Sequence, residues 1–197
     1  KFAFAGSGVT ATDVGDMTAS TFDRTMTSST ETHGYAAGGE SSPAHSNIDK
    51  IAYASDGNAV DSGSDLSVAR HSGTGHTSDT HGYAAMGNSN SPTRLNTIDK
   101  YAFASSGTAS DVGDLTAGRD SGAGSSSSTH GYAAGGYDGS TNFNVIDRFP
   151  FASDTNATDW ADLTRGSRHL AGSSSTTHGY AAGGLSSVDV IDKWSHV

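Results

Sequence analysis

Alternation of apolar and polar positions over short stretches dominates the chain and predicts β-strands. The segment Asn144–Ala152 alternates as a half-buried strand does. After a turn at Asp154–Asn156, the segment Thr158–Thr164 forms the next strand. No window places apolar residues at helical spacing, and Gly interrupts the chain every few positions. The pattern therefore predicts an all-β fold with almost no helix.

The start of the last repeat predicts two further strands. Leu170–Ser175 is small and polar, and Thr176–Gly179 reads as a turn. Tyr180–Ala182 then leads into Gly183 and Gly184, where the missing side chains permit close backbone approach. Together with the two strands above, these segments predict a repeating unit of four short strands.

Three motifs recur along the chain at nearly constant spacing. Thr-His-Gly-Tyr-Ala-Ala places histidines 48, 49 and 48 residues apart, at His33, His81, His130 and His178. Ile-Asp-Lys/Arg begins at Ile48, Ile98, Ile146 and Ile191. Asp-Leu/Met-Thr/Ser begins at Asp16, Asp65, Asp114 and Asp162. A period of about 40–50 residues is typical of the four-stranded blades of a β-propeller.

The motif spacing divides the chain into repeat units within a single domain, 1–197. These units are 19–67, 68–116 and 117–164, with partial units at 1–18 and 165–197. Lys1–Phe4 and Ile191–Ser195 both match the third strand of a unit. The end fragments are therefore expected to join into a closed ring, to continue a longer array, or to be completed by another chain.

The repeats resemble the kelch family. The resemblance rests on Tyr132–Ser140, which contains a diglycine, on Val145–Phe149, on Trp160 and on Arg168. It implies a kelch-type β-propeller of four-stranded antiparallel blades, with about four ~48-residue repeats, alone or within a larger ring. The second repeat departs from the pattern with Met86-Gly87 in place of the diglycine. Val14 and Val112 stand where another unit has Trp160.

The amino-acid sequences of the units are nearly identical to one another, and they also resemble those of kelch-like proteins of marine bacteriophages. Examples are Ala-Thr-Asp-Val-Gly-Asp-Met-Thr at 11–18 and Ser-Ser-Ser-Thr-His-Gly-Tyr-Ala-Ala-Gly-Gly at 126–136. This resemblance implies a virion appendage or tail-associated protein. Expected partners are other virion or surface proteins, further copies of the chain, and a glycan or protein of the host surface.

Composition narrows the function classes. Gly, Ala, Ser and Thr fill 106 of 197 positions, so each unit has little apolar material and depends on its neighbours for a core. A net charge of −10 without basic runs argues against nucleic-acid binding. No apolar stretch approaches the ~20 residues that cross a bilayer, so membrane insertion is not expected. The absence of Cys excludes thiol catalysis.

The recurring His residues could in principle form a metal ring, because His is a common ligand. We favour a structural role for them, in hairpin turns beside Gly, with the imidazole bonded to the backbone of the neighbouring blade. Carboxylates three residues apart, such as Asp159 and Asp162, could bind Ca²⁺ or act as an acid–base pair. Structural turns are the preferred interpretation for these Asp residues and for the glycines Gly39, Gly87, Gly136 and Gly184. No metal or cofactor is expected, with Ca²⁺ as the weaker alternative.

Candidate ligand-binding residues lie in loops at one rim. In the kelch family, the loop that connects one unit to the next reaches the same rim as the loop after the diglycine, and the arginines that open this connecting loop are Arg24, Arg70, Arg119 and Arg168. A guanidinium there could bind carboxylates or sugars; the alternative is an ion pair between blades with an Asp such as Asp65 or Asp114. The segments after the diglycine differ between units, and loops on a rigid scaffold usually carry specificity. Their candidate residues are Asn88, Arg94, Tyr137, Asp138, Asn142 and Phe143.

These observations favour a non-catalytic structural and binding module, located on a virion or at a cell surface. A secreted or cell-surface bacterial adhesin that binds glycans is the alternative. The third hypothesis is a kelch-type enzyme. The copper oxidases that share kelch blades need a Cys–Tyr cross-link for their cofactor chemistry, and the chain has no Cys. The Ser, His and Asp residues are periodic and form no single asymmetric constellation typical of an active site.

Overall fold

A computed structural model describes residues 10–90, 93–185 and 189–197. Within these ranges the chain forms β-strands and no helix, which confirms the predicted all-β class. The strand expected at Lys1–Phe4 lies outside the described residues. No helix in the described part of the chain is long and apolar enough to cross a membrane.

Four sheets follow one another along the chain, and almost all pairings between their strands are antiparallel. The first contains β1 (Met26–Ser29), β2 (His33–Ala37), β3 (Asn47–Ala52) and β4 (Val60–Asp65). The second contains β5 (Thr74–Thr77), β6 (His81–Asn88), β7 (Arg94–Ala102) and β9 (Ser110–Asp114). The third contains β10 (Ala123–Ser126), β11 (His130–Ala134), β12 (Val145–Pro150) and β13 (Thr158–Asp162).

The fourth sheet has three strands, β14 (Leu170–Ser174), β15 (His178–Gly183) and β16 (Ile191–Ser195). The short strand β8 (Gly107–Thr108) leaves its own repeat and pairs in parallel with β4, which gives the first sheet a fifth strand. This strand was not expected from the sequence, because Gly107 and Thr108 show no alternation.

The four strand segments read from the sequence correspond to β12, β13, β14 and β15. The second strand of the repeat begins earlier than expected, at His178 rather than Tyr180. The reason is that His178 closes the turn, with its backbone NH donating to Ser175 Oγ and its carbonyl accepting from Ser175 NH. The strand predicted at Thr158–Thr164 ends at Asp162.

Each sheet packs one face, called here the forward face, against the rear face of the next sheet. In the first junction, Tyr35 and Ile48 of the first sheet meet Tyr101 and Ala109 of the second. The same positions recur in the next junction, where Tyr83 and Ile98 meet Phe149 and Ala157. In the third junction, Tyr132 and Ile146 meet Trp194 and Ala181. The core therefore lies between the sheets, so no sheet can bury its apolar residues alone.

The first strands of the sheets lie side by side on the inside of the array, in the order β1, β5, β10 and β14. Glycines allow this close approach. A Cβ added at Gly75 would lie 2.0 Å from the Thr27 carbonyl oxygen, and one at Gly172 would lie 2.2 Å from the Gly124 carbonyl oxygen. Small residues on the inner strands thus set the distance between sheets.

The connections divide between two ends of the array. The loop end carries the diglycines, the segments that follow them and the links from one sheet to the next. The turn end carries the hairpins before His33, His81, His130 and His178. Every candidate binding loop of the sequence analysis lies at the loop end, on the side opposite the histidine turns.

Candidate functional site

Three of the four candidate arginines form ion pairs within their own sheets. Arg70 Nη2 lies 2.9 Å from Asp99 Oδ2, and both side chains are fully buried. Arg119 and Asp147 repeat this geometry at 3.0 Å. Burial lowers the pKa of the Arg119 guanidinium, and the charge of Asp147 opposes that shift.

Arg24 pairs with Asp49 at 2.6 Å, with both side chains nearly or fully buried. The acid partners are therefore the Asp residues of the Ile-Asp-Lys/Arg motif, rather than Asp65 or Asp114. Because these guanidinium groups are covered and neutralised, Arg24, Arg70 and Arg119 do not present charge at the surface.

The same buried carboxylates tie neighbouring repeats together. Asp147 accepts hydrogen bonds from the backbone NH and the hydroxyl of Thr116, which follows the last strand of the preceding sheet. Ser67 binds Asp99 in the same way, at 2.8 Å from its NH and 2.6 Å from its hydroxyl. Both motifs are evident in the sequence, but the hydrogen bonds from the Thr or Ser of one motif to the Asp of the other are seen only in the structure. The available signal was an Asp that recurs directly after an Ile in a strand of each repeat.

Arg168 is the exception among the arginines. Its counterpart acid, Asp192, is half-buried, and neither an ion pair nor a hydrogen bond joins the two side chains among the described residues. The Arg168 guanidinium instead stacks on the ring of Tyr137, with its Cζ 3.8 Å from the ring centroid. Its Nε is buried and has no hydrogen-bond partner.

Tyr137 lies between two other candidate residues, Arg94 and Arg168, which come from the repeats before and after its own. Arg94 approaches its ring with Cζ 5.5 Å from the centroid, and Arg94 Nε donates to Asp120 Oδ2 at 2.9 Å. We call Arg94, Asp120, Tyr137 and Arg168 the Tyr137 cluster. It lies at the loop end and is partly exposed, and no other unit repeats it within the part of the chain that the structure describes. Because Arg94 is paired with Asp120, the Arg168 guanidinium beside the Tyr137 ring is the group of the cluster that suits an anionic ligand with a stacking face.

The other candidate loop residues shape this loop rather than join the cluster. Asp138 accepts from the NH groups of Thr141 and Ser140, both at 2.7 Å, and these bonds hold its pKa below the usual range. Asn142 pairs with Tyr137 across the loop, and Phe143 lies against the buried Arg119.

On the neighbouring loop, Asn88 exchanges backbone hydrogen bonds with His71, and Asn88 Oδ1 accepts from the NH of Asn90. Asn88 also pairs with Arg94 in the strand register of β6 and β7. The sequence identified these residues as candidates, but only the fold shows that Arg94, Tyr137 and Arg168 lie next to one another.

The diglycines occupy backbone conformations that side chains disfavour. Gly39, Gly87, Gly136 and Gly184 have φ between 109° and 126°. The NH of Gly39 donates to the Arg70 carbonyl of the next repeat, and the NH of Gly87 donates to that of Arg119. Met86 takes the first glycine's place in the second repeat with φ 53°, the left-handed conformation. These glycines therefore have a structural role in the junctions.

The histidine turns are built locally. The Nδ1 of each ring lies 2.8–2.9 Å from the hydroxyl of the preceding Thr, in His33, His81, His130 and His178. Each ring also tilts against the Tyr two residues later. The imidazole therefore bonds within its own turn, and not to the neighbouring sheet as the sequence analysis expected.

The Asp residues proposed for turns also make local or junction contacts. Asp111 Oδ1 accepts from the NH of Gly113, two residues later, which is an Asx turn. Asp65 Oδ1 accepts from Ser46 Oγ, and the carbonyls of Asp16 and Asp114 accept from the NH of Ala59 and Ala157 in the following repeat. Asp162 is exposed at the end of β13.

Two features of the loop end were not foreseen. Ligand atoms of Asp23, Glu40 and His71 lie within 4.8 Å of one another where the first two sheets meet. Beside them lies a cavity of about 380 Å³ between the inner strands, and its lining includes Asp23, Ser72, Ser121 and His169. The backbone NH groups of Ser72, Ser121 and His169 donate to the carbonyls of Asp23, Ser72 and Ser121, and these bonds link successive repeats along the cavity.

No family model matches the chain, and no curated protein matches it.

Proposed function

We propose that the chain is a non-catalytic binding module built from successive blades of a kelch-type β-propeller, alone or within a larger ring. The support is the array of four sheets in chain order, packed face to face with their inner strands side by side. The motif His and Asp residues hold turns and junctions at equivalent places in successive units, which is a structural use of side chains that could otherwise serve catalysis.

The Tyr137 cluster is the observation that carries the binding proposal. Core positions repeat from sheet to sheet, whereas the cluster occurs once among the described residues and gathers side chains from three successive repeats at the loop end. Exposed loops on a rigid scaffold are where recognition residues concentrate. A carboxylated saccharide or an acidic peptide of a host surface offers the anionic and stacking groups that Tyr137 and Arg168 fit.

Binding to a panel of acidic and neutral saccharides tests this proposal. Tyr137→Ala is expected to weaken the affinity for the acidic saccharide that the parent binds most tightly at least about tenfold, because the variant lacks the ring that Arg94 and Arg168 contact. Tyr53→Ala is the matched control, since Tyr53 is a half-exposed tyrosine at the turn end. Equal affinities of the parent and Tyr137→Ala, or a loss only in the Tyr53 variant, would move the binding surface elsewhere.

We further propose that the module is displayed on a phage virion and contacts the host surface. This proposal is supported by the similarity of the repeat sequences to those of kelch-like proteins of marine bacteriophages. Mass spectrometry of purified virions should detect the chain in several copies per particle. Detection in the surface fraction of uninfected bacteria, together with absence from virions, would favour a bacterial adhesin instead.

A further inference from the structure

Two acidic side chains and a histidine meet at the loop end, where the first two sheets join. Ligand atoms of Asp23, Glu40 and His71 lie within 4.8 Å of one another, and we call these residues the Asp23 trio. Within residues 10–90, 93–185 and 189–197, no other group of three or more Asp, Glu or His side chains brings its ligand atoms this close. Asp23 and Glu40 belong to the first repeat unit and His71 belongs to the second, so the trio spans a junction.

The Asp23 trio has a buried side and an open side. The His71 side chain is 10% exposed, and its Nδ1 lies 3.9 Å from Glu40 Oε2, too far for a direct hydrogen bond. The Glu40 side chain is 45% exposed, and Asp23 is exposed as well. An ion can therefore reach the two carboxylates from solvent, with the imidazole on the protein side.

No basic side chain neutralises these two carboxylates. The buried acids of the motifs, Asp49, Asp99 and Asp147, each pair with an arginine. In the described part of the chain, neither Asp23 nor Glu40 forms an ion pair with a Lys or an Arg. Two neighbouring carboxylates repel each other, and a cation between them removes that repulsion.

The buried Ser72 hydroxyl lies between an acid and the histidine of the trio. Ser72 Oγ donates to Asp23 Oδ2 at 3.2 Å and lies 2.8 Å from His71 Nδ1. This is the one hydrogen bond that the His71 ring makes with a described residue, so the buried imidazole keeps a nitrogen without a partner. Neighbouring ligands around Zn²⁺ are about 3–3.5 Å apart, because its bonds are about 2.0–2.2 Å long. Small rotations of the exposed carboxylates reach that spacing.

The other two junctions have the same backbone arrangement but other side chains at this place. Equivalent β-bridges and backbone hydrogen bonds define the matching positions in each unit. The positions of Asp23, Glu40 and His71 correspond to Ser72, Asn88 and Asp120 at the second junction, and to Ser121, Tyr137 and Arg168 at the third. The shared backbone therefore does not require two acids and a histidine here.

We propose that Asp23, Glu40 and His71 bind one Zn²⁺ ion across the first junction. Two carboxylate oxygens and one imidazole nitrogen suit Zn²⁺, whereas Ca²⁺ and Mg²⁺ prefer oxygen ligands alone. Three protein ligands leave room for water on the exposed side. Because its ligands come from two repeat units, the ion joins the first sheet to the second. This site is separate from the Tyr137 cluster and does not depend on saccharide binding.

Calorimetric titration of the metal-free protein with zinc chloride tests the proposal, and we expect one Zn²⁺ per chain. Glu40→Asn and Asp23→Ser should each weaken the affinity for Zn²⁺ at least about tenfold. Both substitutions copy the residue that the second junction carries at the same place, and circular dichroism checks that the variants fold. Glu31→Asn removes an exposed glutamate at the turn end and is the matched control, with the affinity of the parent.

These variants separate the trio from adventitious binding to surface histidines, since the chain has nine His. An affinity for Zn²⁺ that is unchanged in both Glu40→Asn and Asp23→Ser would place the ion elsewhere. A parent that does not bind Zn²⁺ would overturn the proposal equally.

His71→Asp tests the imidazole, and it copies Asp120 of the next junction. The variant has three carboxylates at the site, so the ratio of its affinities for Zn²⁺ and Ca²⁺ should fall at least about tenfold. Zn²⁺ should also raise the thermal midpoint of the parent and of Glu31→Asn but not that of Glu40→Asn, because the ion binds the folded junction. An unchanged affinity ratio, or equal shifts of the midpoint in all three proteins, would contradict a site at the trio.

Discussion

The aspartate of the Ile-Asp-Lys/Arg motif is the central polar residue of each complete repeat. Asp147 is fully buried and accepts from Arg119, from the Thr116 hydroxyl and from the Thr116 backbone. A buried carboxylate is tolerated only where such partners replace its hydration. Thr116 comes from the preceding repeat. The Asp147 side chain therefore stabilises its own sheet and also the contact of that sheet with its neighbour.

His76 is the second residue with an unusual environment. It is buried on β5, at the position where the equivalent strands of the other sheets carry Ser28, Ser125 and Ser173. Its Nδ1 donates to the Ser125 carbonyl at 3.0 Å, so its Nε2 accepts from the Thr74 hydroxyl at 3.0 Å. Complete burial lowers the pKa of His76 to about 4, and the bond to the Ser125 carbonyl only partly opposes this. The folded protein therefore holds His76 neutral.

We expect the free energy of unfolding to fall as the pH drops from about 6.5 towards 4. In this window the unfolded chain binds a proton at His76 that the folded chain excludes, and the difference amounts to about 3 kcal/mol when complete. His76→Ser, which copies the neighbouring units, should flatten this part of the profile. The measurement is urea unfolding at several pH values, with the exposed His169→Ser as control. A His76→Ser variant with the parent's profile would contradict the assignment.

Among the elements, the hairpin of the first two strands depends on the Gly of the Thr-His-Gly-Tyr motif. Gly131 faces Phe149 across β11 and β12, and a Cβ at Gly131 would lie 2.3 Å from the Phe149 ring. Gly82 and Gly179 are covered in the same way by Tyr101 and Trp194. The glycine therefore makes room for the aromatic residue that fills the junction with the preceding sheet.

Gly131→Ala is expected to cost about 1–3 kcal/mol of stability, because the buried ring of Phe149 must shift in a packed junction. Gly34→Ala is the matched control. Its nearest neighbour is the Tyr53 hydroxyl at 3.0 Å, on a ring that is half-exposed and free to move. Thermal unfolding of the two variants should show a clearly larger loss for Gly131→Ala. Equal losses would mean that the motif glycine serves the hairpin backbone rather than the junction.

At the scale of the whole molecule, stability is expected to be collective. The three apolar clusters each combine residues of two adjacent sheets. Arrays of this kind gain their stability from interfaces between nearest neighbours.

Deleting the unit 68–116 should therefore lower both the midpoint and the cooperativity of unfolding, since the shortened array has one junction fewer. Chemical denaturation followed by circular dichroism measures both quantities. A shortened chain that unfolds at the parent's midpoint with the parent's slope would show that the sheets are stable independently.

The sequence by itself determined the all-β class, the spacing of the repeats and the places where strands and turns alternate. It could do so because a period of two residues in a strand and the glycines of tight turns are local properties of the chain. The sequence predicts structural roles for the diglycines and the motif histidines, but it does not predict that each histidine ring bonds the hydroxyl of the preceding Thr.

Only the tertiary structure decided which of the candidate residues act together. All four arginines occur in equivalent motifs, yet Arg70 and Arg119 are buried against Asp99 and Asp147, while Arg168 stacks on Tyr137. The Tyr137 cluster and the junction role of the motif Asp depend on contacts between sheets distant in sequence. Burial and ion pairing arise from those long-range contacts, so no local pattern of residues reveals them.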